Sequence, residues 1–193
     1  MTDQQQVTGN PLEQLREAQG VFLEILANVR PEQMNLTTPD DEWDVRALIN
    51  HVVLGNMWAA ENLKTGSAPR PSGDVIGDRD PVEAYTASAD AMMASFDEPG
   101  ALGRMVTMPF GDMPAAGLAA FRFVDLMVHG WDLAKASGQD TDFASDLCEA
   151  ALAMSRQRMA NMDRANMPFK DEVSVPADAP AADRLAGFLG RQV

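Results

Sequence analysis

Five side chains in this sequence have the types and spacing for chemistry. Asp125 and His129 lie four residues apart in "FRFVDLMVHGWDLA", an otherwise apolar stretch, and Arg122 and Asp132 extend the series at spacings of three. His51, the only other histidine, sits between apolar residues in "LINHVV". An i, i+4 pair on a helix presents two ligand atoms on one face, as on the metal-binding helices of metalloproteases. Two imidazoles and a carboxylate suit Zn²⁺, Ni²⁺, Co²⁺ or Fe²⁺, with Zn²⁺ and Ni²⁺ leading, and leave positions open for water or substrate. Two plainer readings stand beside this one. A lone histidine is more commonly a core residue bonded to a neighbour, and Arg122 with Asp125 is equally a structural ion pair.

The elements that must position these residues are helices. Asn10-Pro11-Leu12-Glu13 is a helix start, and apolar residues then recur at helical spacing to Val29, before Pro31. Asp44 caps a second helix running to about Lys64, with Arg46, Asn50 and Glu61 on its wet side and His51 turned towards its neighbours beside Trp58. Residues 66–80 form the longest loop, a third helix follows Pro81 to about Asp97, and 99–113 are irregular, with "RMVTMPF" as a short extended piece. A fourth helix opens at Pro114 and ends at Gly138, and a fifth runs from about Asp142 to Met162. An extended "DEVSVP" and a short last helix, Ala181 to Leu189, complete the chain. The expected fold is all-α, a four-helix bundle with an extra helix and a short C-terminal tail, spanning 1–193 as a single domain with 1–9 disordered.

Within 115–134 only Arg122, Asp125, His129 and Asp132 are polar, a stripe about 80° wide at 100° per residue. A surface helix shows the reverse, a limited apolar stripe and a broad polar face. The fourth helix is therefore central, with its polar stripe in a cleft.

Composition excludes several functions. Asp plus Glu number 29 against 15 Lys plus Arg, a formal charge of -14, so nucleic acid and anionic membranes are repelled. No apolar run approaches the ~20 residues of a membrane span, and the N-terminus lacks a signal-peptide pattern. The single cysteine, Cys148, forms no internal disulfide and reads as a small buried apolar residue. A soluble cytoplasmic protein is expected.

Trp43–Val53, "WDVRALINHVV", resembles the histidine-bearing segment of the DinB-like superfamily. Phe123–Ala134, "FVDLMVHGWDLA", resembles a second segment typical of the mycothiol-dependent maleylpyruvate isomerase N-terminal family, and "ADRLAGFLGR" is similar to the C-terminal signature of a short metal-binding branch. The resemblance implies a DinB-like bundle whose metal is held at His51, Asp125 and His129. It departs from the family pattern at Asp125, where a glutamate is usual, and in the short tail after residue 165, so maleylpyruvate isomerisation itself does not carry across. It also implies a small thiol such as mycothiol as cosubstrate, giving a metal-dependent thiol transferase or isomerase acting on a small molecule. Arg122, Asp132, Trp131 and Trp58 are candidates for supporting the ligands or lining the pocket. The alternative is a non-catalytic metal-binding or small-molecule-binding module, with a homodimer among the open arrangements.

Overall fold

The computed structural model describes residues 10–160, 164 and 169–193. The expected disorder of 1–9 and the end of the fifth helix at Met162 lie outside these residues. Six α-helices are present among the described residues: α1 Pro11–Ala27, α2 Val45–Thr65, α3 Pro81–Phe96, α4 Ala115–Ser137, α5 Ser145–Met159 and α6 Ala181–Phe188. The fold is all-α, as the apolar periodicity requires.

Local chemistry sets the helix ends. The Asn10 side chain accepts from the Leu12 N–H at 3.1 Å, with Pro11 in the first turn. Asp44 accepts from Ala47 N–H, and Asp80 from both Val82 and Glu83 N–H groups. These caps satisfy amide donors that a helix start leaves unpaired. At the other end of α4, Gly138 adopts φ 72°, and the Gln139 N–H reaches the Ala134 carbonyl. That left-handed residue stops the helix where a Cβ would be strained.

Helices α1 and α4 pack together, as do α2 and α3, and α2 also crosses α4. Helices α5 and α6 form a second pair that covers the remaining side of α4. Helix α4 is buried nearly all round: Leu118, Phe123, Leu126, Val128, Trp131 and Leu133 expose 1% or less. Such enclosure makes its charged stripe costly unless every member finds a partner.

Two segments differ from the sequence expectation. Residues 105–114 form a small antiparallel hairpin, β1 Met105–Met108 paired with β2 Gly111–Pro114, where an irregular stretch with one extended piece was expected. With four residues per strand, alternation is too short to be seen in the sequence. Pro114 accordingly caps α4 from β2 and does not occupy its first turn. Helix α5 begins at Ser145, three residues later than expected, after Ala144 in a left-handed conformation at φ 42°.

The long loop 66–80 is tied to α2. Asn50 donates to the Gly73 carbonyl and accepts from the Val75 and Ile76 N–H groups, while Arg46 pairs with Asp74 and donates to the Gly77 carbonyl. The expected wet side of α2 is thus partly covered by this loop. Trp58 Nε1 donates to the Ala68 carbonyl and secures the other end.

Candidate metal centre

His51 from α2 and Asp125 and His129 from α4 meet at one point. One ligand atom from each lies within 4.8 Å of the others. His129 Nε2 is 3.6 Å from Asp125 Oδ1, and His51 Nε2 is 4.0 Å from the same oxygen. Donors about 2.1 Å from a shared tetrahedral ion stand ~3.4 Å apart, so the set fits a borderline divalent cation with small side-chain adjustments.

The surroundings assign a role to each ligand atom. Arg122 Nη1 donates to Asp125 Oδ2 at 2.7 Å, leaving Oδ1 facing the two imidazoles. His129 Nδ1 lies 3.0 Å from Asp132 Oδ2, which favours a proton on this nitrogen and leaves Nε2 as the atom facing Asp125 and His51. Trp43 stacks on the His51 ring at 4.2 Å between centroids and meets His129 edge-on at 5.6 Å. Both imidazoles are thereby fixed in orientation.

The electrostatics follow from burial opposed by neighbours. Burial works to raise the Asp125 carboxyl, but Arg122 and the two imidazoles hold it well below the usual carboxylate range. Burial pushes the His51 imidazole down, against the pull of Asp125. His129 is also penalised by burial, yet Asp125 and Asp132 together raise it from its ordinary value. A carboxylate facing two imidazoles at this spacing offers one anionic and two neutral donors once both nitrogens are deprotonated.

Behind His129, Asp132 is fully buried and paired with Arg191, whose Nε and Nη2 donate to its two oxygens at 2.9 Å each. Arg191 Nη2 also reaches Asp40 Oδ2 at 2.7 Å. Asp40, His129 and Asp132 form a second close cluster, but the guanidinium already bridges its two carboxylates. That cluster is an ion-pair support for His129, and the metal-type geometry belongs to the first.

The first cluster opens on a cleft lined by His51, Gly55, Trp58, Arg70, Phe121, Arg122 and Asp125, with about 70 Å³ of free volume. At ~30 Å³ per molecule this is room for about two waters. Of the residues expected near the site, Arg122, Asp132 and Trp58 lie there. Trp131 does not: its Nε1 donates to Asp183 of α6 at 2.7 Å. Two positions beyond His129, a helical side chain points about 200° away, which the motif "HGWD" conceals. Sequence reasoning missed Trp43, Arg70, Asp40 and Arg191. Trp43 opens the very segment that contains His51. Arg70 stands between two prolines in the longest loop, whereas Asp40 and Arg191, 151 residues apart, carry no local signal.

Residues 15–134 match the family model described as the mycothiol maleylpyruvate isomerase N-terminal domain, a span containing all three ligand candidates. Two proteins of Mycobacterium tuberculosis, named uncharacterized protein Rv0738 and uncharacterized protein MT0763, are each 37% identical over 189 residues, covering 95% of this chain and 99% of theirs. The crystal structure of the mycothiol-dependent maleylpyruvate isomerase superposes with a TM-score of 0.61 at 16% identity, and that of a mutant with 0.60 at 14%. Both alignments cover 74% of this chain and 66% of the isomerase, so the chain spans just under two thirds of that protein's length and shares its fold. The chain belongs to the mycothiol maleylpyruvate isomerase N-terminal domain family.

Proposed function

We propose that this protein binds one divalent metal ion, Zn²⁺ or Ni²⁺ by preference, through His51, Asp125 and His129, and uses it to engage a low-molecular-weight thiol of the mycothiol type for transfer to, or isomerisation of, a small molecule. The observation that carries the reading is the convergence of three donors within 4.8 Å beside a cleft that His51 and Asp125 line, with the outer nitrogen of His129 already committed to Asp132. A bound ion supplies Lewis acidity that favours the thiolate form of a coordinating sulfur at neutral pH.

The chain's own residues hold and orient. Arg122 fixes the Asp125 carboxylate, Asp132 fixes the His129 ring, and Trp43 fixes the His51 ring. Trp58 and Phe121 wall the cleft and limit water. Arg70, packed over the Trp58 ring at 4.6 Å, adds a second guanidinium beside Arg122. With Asp125 as the cleft's carboxylate, these two cations favour an anionic small molecule as the thiol's partner in spite of the negative surface. The thiol itself fits better as a neutral, sugar-linked molecule, because the formal charge of -14 opposes long-range capture of an anionic one.

The cluster numbers three protein ligands among the described residues, which leaves room for an exogenous ligand and favours a reactive centre over a closed structural one. Cobalt substitution tests the reading. Adding mycothiol to the Co²⁺ protein should produce a sulfur-to-metal charge-transfer band in the near ultraviolet. A spectrum unchanged by millimolar mycothiol, or by other cellular thiols, leaves the non-catalytic binding module as the better description.

A further inference from the structure

Gly55 lies in the middle of α2, one turn beyond His51, with an ordinary right-handed backbone. No turn or positive φ explains it, and glycine is a weaker helix former than alanine. Its neighbour does explain it. A Cβ at position 55 would stand 2.3 Å from Arg122 Nη1, 2.8 Å from its Cζ and 3.0 Å from Nη2. The guanidinium lies directly over the bare backbone of α2, in the space a methyl group would take.

That placement brings the guanidinium within reach of its acceptors. Arg122 Nη2 donates to Asn56 Oδ1 at 2.9 Å and to the Val52 carbonyl at 3.3 Å, both on α2, while Nη1 donates to Asp125 Oδ2. Among the described residues Nε is buried without a hydrogen-bond partner, and the bonds that hold the side chain are made at its tip. The geometry points to Gly55 as a positioning residue for the metal centre: its missing side chain lets Arg122 seat on α2 and turn Asp125 Oδ1 towards the histidines. This assignment rests on the metal reading above and adds a residue that itself supplies no ligand atom.

A methyl group at position 55 need not break the fold. Arg122 is long, and its tip borders the cleft, so the guanidinium has somewhere to go. What gives way is its grip on Asp125, while its positive charge stays close by. The orientation of the carboxylate is lost with no compensating relief of the guanidinium's repulsion of the cation, so metal binding weakens. Losing the partner of a ligating carboxylate typically costs 10–100-fold in affinity.

The test compares Zn²⁺ affinity, by competition titration, and the arginine guanidinium NMR signals of the metal-free protein. Wild type, Gly55→Ala, Arg122→Met, the double variant and the control Gly20→Ala are measured. Gly20 has nothing within 4 Å of a built Cβ and reports the helix-propensity effect alone. Gly55→Ala should bind Zn²⁺ about tenfold more weakly or worse and lose the protected Arg122 signals. In the Arg122→Met background it should change nothing, and Gly20→Ala should match wild type. An unchanged Kd with intact Arg122 signals, or the same loss in both backgrounds, overturns the assignment. If wild type binds no Zn²⁺, the metal reading falls, and the NMR signals decide the positioning of Arg122: their loss supports it and their persistence overturns it. Should Gly55→Ala fail to fold, recovery of folding in the double variant supports the assignment, and failure to recover overturns it.

Discussion

Replacing Arg191 by methionine removes the cation that joins the C-terminal tail to the support of His129. Arg191 is 5% exposed and donates to both oxygens of Asp132, which is itself 0% exposed, as well as to Asp40. Breaking a buried pair by deleting one partner costs about 3–5 kcal/mol, because the remaining charge is left uncompensated. Asp132 keeps its pairing with His129 Nδ1, so the lower end, about 3 kcal/mol, is expected. At roughly 2–4 °C per kcal/mol for a chain of this size, the melting temperature falls by about 6–12 °C. The pH dependence carries the sign. Burial tends to raise the Asp132 carboxyl, but hydrogen bonds from His129 and Arg191 outweigh it and hold the group below its ordinary value. In wild type that depression contributes stability at pH values above the unfolded carboxyl pKa of about 3.9, lost as pH falls through the folded value. Without Arg191 burial is less opposed, the folded pKa rises, and the deficit against wild type narrows as pH falls from 7 towards 4. Urea denaturation at several pH values measures both effects. A loss below about 1 kcal/mol at pH 7, or a deficit that does not change with pH, would refute the description of Arg191 and Asp132 as a buried pair.

Other consequences concern different parts of the molecule. Burial pushes the Cys148 thiol up to about 12, so folded protein should resist alkylation at pH 8, and the rate of labelling should track unfolding; rapid labelling of the native state would contradict this. The same shift means that an unfolded thiol, near 8.5, ionises first, so this group's contribution to stability is present below that pH and declines above it. Trp131→Phe removes the bond to Asp183 and some buried volume, costing about 2 kcal/mol in thermal unfolding while leaving metal affinity unchanged, since the ring faces α6; a weaker metal Kd would place it in the site after all. Asn50→Ala cuts three ties to the loop, which should raise cleavage within 66–80 by a non-specific protease, and an unaltered digestion rate would show that Arg46 and Trp58 suffice.

Much of the scaffold was legible because its signals are local. Asn10 and Asp44 cap the helices that follow them, and Gly138 ends α4, each by chemistry within a few residues. The narrow polar stripe of α4 identified it as the buried central helix, since an enclosed helix has no other reason to be apolar on nearly every side. The meeting of His51 with that stripe was expected from its inward position on α2 together with the family resemblance, but its supports were not. Arg191 reaches both Asp132 and Asp40, residues far from it in the sequence. Gly55 carries no local signal, because what explains it is the Arg122 guanidinium above it, 67 residues away in the sequence. Trp131 shows the opposite failure, in which closeness in sequence to His129 suggested a closeness in space that helical geometry forbids.

The central claim is that His51, Asp125 and His129 hold a metal, and metal analysis of the purified protein after equilibration with Zn²⁺ and removal of excess ion tests it most directly. The account predicts one equivalent per chain in wild type. His129→Ala should lose nearly all of it, because imidazole is the stronger donor to a borderline ion, whereas Asp125→Ala should retain a larger share, with water taking the carboxylate's place. Equal zinc content in wild type and His129→Ala, or none in wild type, would contradict the account.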